Sequence, residues 1–174
     1  MFENNNTYKL LKIFLFSPNE SFRLRQLSRI SKISPPSVMN YLKKFEGEEL
    51  IRSYKKDNIP YYKMNVDNLN LNVYKKIAAL YELQNSGLIE YLWDKLASEA
   101  IILYGSYARG EFTEESDIDL FVIGKEKKID IRDFEKKLGA ELHIMFEENP
   151  KKIHENLKNN LCNGIVLKGY FKPF

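Results

Sequence analysis

Cysteine is almost absent from this chain: Cys162 is its only cysteine among 174 residues. A single cysteine excludes an intrachain disulfide framework and an all-cysteine zinc site. We therefore expect a cytoplasmic protein in which Cys162 is buried. Uninterrupted apolar runs that approach the roughly 20 residues of a membrane-spanning helix are also lacking. The first six residues lack the basic and apolar pattern of a secretory signal, so we expect no membrane partner.

The charge of the chain is small but unevenly distributed. The net charge is +3, yet residues 1–68 hold 12 basic and 7 acidic side chains, whereas residues 69–174 hold 15 and 17. This asymmetry indicates two units with different partners, and ordinary scatter of surface charge is the alternative. Hydrophobic residues make up 44% of the chain, which is enough to build packed cores.

The first 66 residues have the pattern of three short helices followed by a hairpin. Periodicity and turn residues predict helices over 7–16, over 23–33 and from Pro35 onward, and strands over 52–56 and 61–65. Ser34 is a suitable helix cap, and Pro35 suits the first helical position because its missing N–H has no intrahelical partner there. We expect Leu24, Leu27 and Ile30 of the second helix to point inward.

This pattern resembles the winged-helix DNA-binding domains of bacterial and archaeal regulators. The resemblance depends on Leu24–Ser28, Ile33–Val38, Leu42–Phe45 and the pair Leu50-Ile51. It implies a winged helix-turn-helix over residues 1–66 with double-stranded DNA as partner, whereas a domain used only for protein contact is the alternative. Short polar and basic side chains are the expected DNA contacts: Ser37, Asn40, Lys43, Lys44, Arg52, Lys55 and Lys56.

Residues 67–98 predict a helical connector that is broken near Gly87, and residues 99–174 predict a second domain. In that domain a buried strand over 101–104 leads directly into Gly105-Ser106. The later run Ser116-Asp117-Ile118-Asp119-Leu120 alternates as a strand, which places both aspartates on one face. Two adjacent carboxylates repel each other unless a cation lies between them. Together with a glycine-serine turn, they predict a site for a metal-bound nucleoside triphosphate.

The string Gly105-Ser106-Tyr107-Ala108-Arg109-Gly110, five residues and then Ser116-Asp117-Ile118-Asp119-Leu120 resembles the signature of the nucleotidyltransferase superfamily related to DNA polymerase beta, and in particular its minimal prokaryotic members. The resemblance implies an α+β fold with a small mixed sheet flanked by helices. It further implies ATP as substrate and Mg²⁺ (or Mn²⁺) as cofactor. The roles that it implies are nucleotide binding by Gly105, Ser106, Arg109 and Ser116, and metal binding and catalysis by Asp117 and Asp119.

The third carboxylate of the family is not at its usual place. The strand predicted over 141–146 has His143 where the family has an acid, and Glu141 lies two residues earlier on the same face. Glu141 and His143 are therefore both candidate catalytic residues. His143 is a neutral ligand or base in one interpretation and a packing residue in the other.

These features predict transfer of a nucleoside monophosphate, AMP in the first instance, to an acceptor hydroxyl, coupled to DNA binding. Members of the resembled family act as antitoxins that modify a partner toxin, so a protein acceptor of this kind and a homodimer stay open. The alternative function is a transcriptional regulator whose degenerate nucleotidyltransferase domain only senses nucleotide. A third hypothesis is an interaction module that binds no nucleotide.

Overall fold

The computed structural model describes residues 5–172, which divide into two compact units. One unit ends at Tyr74 and the other begins at Lys75, within helix α4 (Leu71–Ser86). Each unit combines helices with a sheet of its own, in agreement with the predicted α+β class. None of the helices in the described range has both the length and the apolar character that crossing a bilayer requires.

The first unit contains three helices and a three-stranded sheet. Its elements are α1 (Asn6–Phe16), β1 (Ser21–Phe22), α2 (Leu24–Ser31), α3 (Pro35–Gly47), β2 (Ile51–Lys56) and β3 (Ile59–Met64). The strands are antiparallel in the order β1-β3-β2. Asp57 and Asn58 join β2 to β3 with φ angles of 52° and 57°, which is the backbone geometry of a tight two-residue hairpin turn. The predicted helices and hairpin are confirmed, and the short β1 was not predicted.

The core of the first unit follows the helical period. Leu10, Leu27, Val38 and Leu42 are completely buried. The expectation that Ile30 points inward is wrong, because 52% of Ile30 is exposed. Helix α2 ends one residue later, and Lys32 then adopts a left-handed φ of 57°. This turn brings Ile33 into the core instead, where it is 5% exposed.

The second unit is built around a four-stranded mixed sheet. Its elements after α4 are α5 (Leu88–Leu96), β4 (Ala100–Tyr104), α6 (Gly105–Arg109), β5 (Ile118–Ile123), α7 (Arg132–Leu138), β6 (Leu142–Glu147), a 3₁₀ turn (Pro150–Lys152), α8 (Glu155–Cys162) and β7 (Ile165–Gly169). The strand order is β6-β5-β4-β7, in which β5 and β6 run parallel and the other neighbours antiparallel. Gly87 separates α4 from α5, as predicted.

Two predictions near the end of the chain are wrong. The sequence pattern over 150–160 predicts a single helix, but the chain forms a 3₁₀ turn and then a separate helix α8. Between them Ile153 is only 6% exposed and packs in the cluster that contains Ala100 and Ile102, and this anchor interrupts the helix. Cys162 is exposed rather than buried because Leu161, the residue before it, takes the core position at 2% exposure.

Candidate active site

The candidate residues of the second unit gather at one edge of its sheet. Strand register aligns Tyr104 of β4 with Asp119 of β5, and Asp119 with His143 of β6. Asp117 lies just before β5, and Glu141 lies just before β6. Ile118 and Leu120 are buried, at 1% and 0% exposure, so the two aspartates project away from that packed side, as the alternation predicts.

The side chains of Asp117, Asp119 and His143 converge without hydrogen bonding to one another. Nδ1 of His143 lies 3.7 Å from Oδ2 of Asp117 and 3.9 Å from Oδ1 of Asp119. One ligand atom from each of Asp117, Glu141 and His143 forms a group in which all pairwise distances are within 4.8 Å. Four side chains that can each offer a lone pair therefore share a small volume at the sheet edge.

Gly105 forms the opposite side of this cluster. It opens helix α6 directly after β4, rather than forming the separate turn that was expected, and its φ angle is +69°. A Cβ atom at this position would lie 2.2 Å from Oδ2 of Asp119. Only glycine leaves room for this carboxylate. Asp119 consequently presents Oδ1 toward His143 and Oδ2 toward the backbone of Gly105.

The electrostatics of the cluster disfavour a bare negative charge. Burial raises the pKa of the Asp119 carboxyl above its ordinary value, and the charge of Asp117 raises it further, while His143 and Arg109 oppose the shift. Burial, with a contribution from Asp117, raises the pKa of Tyr107 to about 12. Tyr107 therefore stays protonated at neutral pH. A positive charge placed between the carboxylates would relieve the repulsion.

The donor set fits a divalent cation. Two ligand atoms that each lie about 2.1 Å from one metal can be at most about 4.2 Å apart. The distances of 3.7 Å and 3.9 Å from His143 to the two aspartates lie below this limit. Carboxylates are the side chains that Mg²⁺ and Mn²⁺ prefer, and imidazole suits the transition metals.

The remaining residues of the predicted site form hydrogen bonds within the segment that joins β4 to β5. Ser106 follows Gly105 in the first turn of α6, and its carbonyl oxygen accepts a hydrogen bond from the Glu111 N–H at 2.9 Å. Arg109 Nε donates to Glu111 Oε2 at 2.6 Å, so its charge is directed mainly to the neighbouring loop. The Ser116 hydroxyl accepts a hydrogen bond from the Thr113 N–H at 2.9 Å and closes the loop just before Asp117.

Sequence reasoning missed the support beneath this loop. Lys75 is only 3% exposed, and its ammonium group donates to the Phe112 carbonyl oxygen and lies 4.5 Å from the centre of the Phe112 ring. Burial lowers the pKa of Lys75. Phe112 in turn stacks on Tyr107 at 4.1 Å between ring centres. Lys75 is four residues after Leu71 and three before Ala78, and a lysine on such an apolar helical face was the available signal.

The predicted DNA contacts of the first unit are mostly exposed. Asn40 and Lys43 on α3, and Lys55 and Lys56 at the end of β2, are exposed to solvent. The three others have partners within the unit: the Ser34 hydroxyl donates to Ser37 at 2.9 Å, Lys44 lies 3.9 Å from Glu48, and Arg52 pairs with Asp67 at 2.8 Å.

Comparison with known proteins finds a family match within the second unit. Residues 86–167 match the sequence model of a family described as "Nucleotidyltransferase domain". Two proteins of Methanocaldococcus jannaschii match shorter stretches. "Putative protein adenylyltransferase MJ0604" is 71% identical over 24 residues, which are 14% of this chain and 24% of that protein. "Putative protein adenylyltransferase MJ0141" is 54% identical over 35 residues, which are 20% of this chain and 33% of that protein.

The matches to these relatives are local, because the chain spans only 24% and 33% of their lengths. A solved structure described as "a putative nucleotidyltransferase from Sulfolobus solfataricus" aligns with 55% of this chain and 84% of its own, at 18% identity and a TM-score of 0.31, which is too low to support an argument. The family match, by contrast, covers Gly105 and every candidate from it to His143. Residues 86–167 of the chain are therefore similar to nucleotidyltransferase domains.

Proposed function

We propose that the second unit transfers AMP from ATP to a hydroxyl group of a protein. The observation that carries this proposal is the convergence of Asp117 and Asp119 on His143, within 3.9 Å, beside the unsubstituted backbone of Gly105. The family of the domain supports nucleotidyl transfer. The names of the two relatives support adenylyl transfer to protein, over short matched stretches.

In this reaction the acceptor oxygen attacks the α-phosphorus, the bond from that phosphorus to the bridging oxygen breaks, and pyrophosphate leaves with the bonding electrons. Asp117 and Asp119 would hold a divalent cation, which supplies charge neutralisation at the phosphate oxygens. Gly105 lets the phosphates approach the backbone, and Ser106 offers a hydroxyl beside them. Glu141 and His143 are the groups beside the aspartates that can take the proton of the acceptor hydroxyl.

The experiment that tests this proposal uses ATP labelled at either the α- or the γ-phosphate, with the purified full chain, Mg²⁺ or Mn²⁺ and a lysate. We expect acid-stable label on a protein band from α-labelled ATP and none from γ-labelled ATP, because the β- and γ-phosphates leave together. Chelation of the metal should remove the signal. Transfer from the γ-label, or from neither, would contradict the proposal.

His143 stands where the resembled family has its third acid, and this difference favours a second candidate function: a domain that binds nucleotide without turnover. In that case ATP should bind to the chain and alter its affinity for DNA, while α-labelled ATP yields neither labelled protein nor pyrophosphate. The same labelling assay, combined with ATP titration in the presence of duplex DNA, distinguishes the two candidates.

For the first unit we propose a winged helix-turn-helix that binds double-stranded DNA. Three helices followed by a two-stranded hairpin support this proposal, with α3 as the helix that enters the major groove. Asn40 on α3 is exposed and suited to a base edge, whereas Lys43, Lys55 and Lys56 are suited to phosphates. Binding to DNA at its own locus would suit a protein that regulates a partner encoded there.

Replacing Lys43, Lys55 and Lys56 together with glutamine should weaken DNA binding and flatten its salt dependence. Each lost phosphate contact lowers the slope of log K against log salt by about 1, so the triple variant should lose about 3. Fluorescence anisotropy with duplex DNA from the region upstream of the reading frame measures this slope. The matched control replaces the exposed Lys125, Lys128 and Lys151 of the second unit. Equal slopes for both triple variants would contradict the assignment.

A further inference from the structure

We infer that His143 is a ligand of the metal site and makes this site prefer Mn²⁺ and Co²⁺ over Mg²⁺. The inference rests on the proposed function only in that both need a cation at Asp117 and Asp119. It goes further by adding Glu141 and His143 to the ligands Asp117 and Asp119, and by deriving the choice of metal from that set.

The geometry of the cluster supports this ligand set. A suitable atom of Asp117, Glu141 and His143 lies within 4.8 Å of each of the others, and His143 also lies 3.9 Å from Asp119. Parallel pairing of β5 with β6 places His143 directly beside Asp119, and Glu141, two residues earlier in the chain, lies just before β6. The imidazole is therefore held by the sheet register, not by a mobile loop.

An ion pair between protonated His143 and the aspartates is the competing interpretation. Such a pair would be expected to form a hydrogen bond, but Nδ1 of His143 lies 3.7 Å and 3.9 Å from the carboxylate oxygens of Asp117 and Asp119. Within residues 5–172, no donor hydrogen bonds to the carboxylate of Asp117, Asp119 or Glu141. The spacing is too long for a direct bond and suits a single atom bound between the ligands.

The chemistry of imidazole then determines the metal preference. Mg²⁺ takes oxygen ligands almost exclusively, whereas imidazole nitrogen binds well to transition metals, whose affinities rise from Mn²⁺ to Co²⁺ and beyond. Replacing one carboxylate of an oxygen site with a neutral nitrogen removes one negative charge. That change weakens binding of the hard Mg²⁺ ion more than binding of Mn²⁺ or Co²⁺. Glu141 has a second carboxylate oxygen, so it can ligate a metal and still accept the proton of the acceptor.

Ligation by His143 can be tested by NMR without overlap from many other rings, because His143 and His154 are the only histidines of the chain. In an NMR titration of the full chain with Co²⁺, through-bond contact should shift the ring signals of His143 far outside their diamagnetic range. The ring of His154, at the start of α8, should show no contact shift. This readout reports ligation and does not depend on turnover.

The matched variants are His143→Asp and His154→Asp. Restoring an oxygen ligand at residue 143 should lower the ratio of the Mg²⁺ to the Mn²⁺ dissociation constant by at least about tenfold, measured by titration calorimetry. His154→Asp should leave that ratio unchanged, because His154 lies at the start of α8 and is not among the proposed ligands. Aspartate also suits this helix-capping position, so we expect the variant to keep its stability. More than half of the His143 side chain is exposed, at 58%, so we expect both variants to fold, and circular dichroism verifies it.

Unshifted His143 signals at saturating Co²⁺, or equal metal ratios for the wild type and His143→Asp, would overturn the inference. Label transfer by a protein with such unshifted signals would leave the proposed function standing and the inference wrong. Contact-shifted His143 signals in a protein that transfers no label would support the inference and contradict the proposed function.

Discussion

Replacing Asp119 with asparagine should reduce nucleotidyl transfer by roughly 1000-fold. Asp119 faces both sides of the site, with Oδ1 3.9 Å from His143 and Oδ2 against Gly105. Asparagine keeps the shape but removes the charge that holds a divalent cation. A bound cation contributes several kcal/mol to the stability of the transition state, and about 4 kcal/mol corresponds to the expected loss. Release of pyrophosphate at saturating ATP and metal measures this effect.

The stability of the same variant should not fall. Burial raises the folded-state pKa of Asp119 above that of the unfolded chain. The folded protein therefore binds more protons between these two pKa values, and its stability falls as the pH rises through that interval. At neutral pH the ionised carboxylate thus destabilises the metal-free fold, and asparagine removes this cost. We expect an equal or higher unfolding temperature in chelator.

The matched control for this prediction is Asp133→Asn. The side chain of Asp133 is 98% exposed on α7, and its nearest ionic partner, Lys136, is 3.9 Å away. This variant should keep wild-type activity and stability. Activity of Asp119→Asn within tenfold of the wild type, with a normal response in the control, would remove Asp119 from the metal site.

Much of the candidate site could be predicted from local sequence pattern. A buried strand followed by glycine, and two aspartates separated by one apolar residue, fix which side chains share a face through the two-residue period alone. The break at Gly87 also follows from a local signal, since glycine acts within a few residues. The mixed sheet, in contrast, is expected from the family resemblance and not from local pattern.

The relation of His143 to the aspartates could not be predicted in this way. It depends on the register between the parallel strands β5 and β6, which are joined through α7, and no local pattern encodes that register. The support that Lys75 gives to Phe112, 37 residues later, is likewise a tertiary contact. Ile30 and Cys162 were misplaced because each lies at or beside the end of a helix, where one turn of backbone decides which residue enters the core.

Replacing Gly105 with alanine should abolish nucleotidyl transfer while the fold persists. The new methyl group would need the space that Oδ2 of Asp119 occupies, at 2.2 Å. Because Oδ2 is at the end of a flexible side chain, we expect the Asp119 carboxylate to rotate away from the methyl group and the sheet to stay intact. The φ angle of +69° adds strain of about 1 kcal/mol for any residue with a Cβ. We expect a loss of activity close to that of Asp119→Asn and a metal affinity lowered in parallel.

The control Gly87→Ala separates the effect of displacing the Asp119 carboxylate from the effect of backbone strain at a positive φ. Gly87 also has a left-handed φ, +82°, but nothing lies within 4 Å of the position its Cβ would take. Both alanine variants should therefore lose similar stability in thermal unfolding, and only Gly105→Ala should lose metal binding and pyrophosphate release. If Gly105→Ala retained both, the contact between Asp119 and the glycine would not constrain the carboxylate. If both variants lost activity equally, backbone strain would be the cause, and Gly105 would have no special place beside the reacting phosphates.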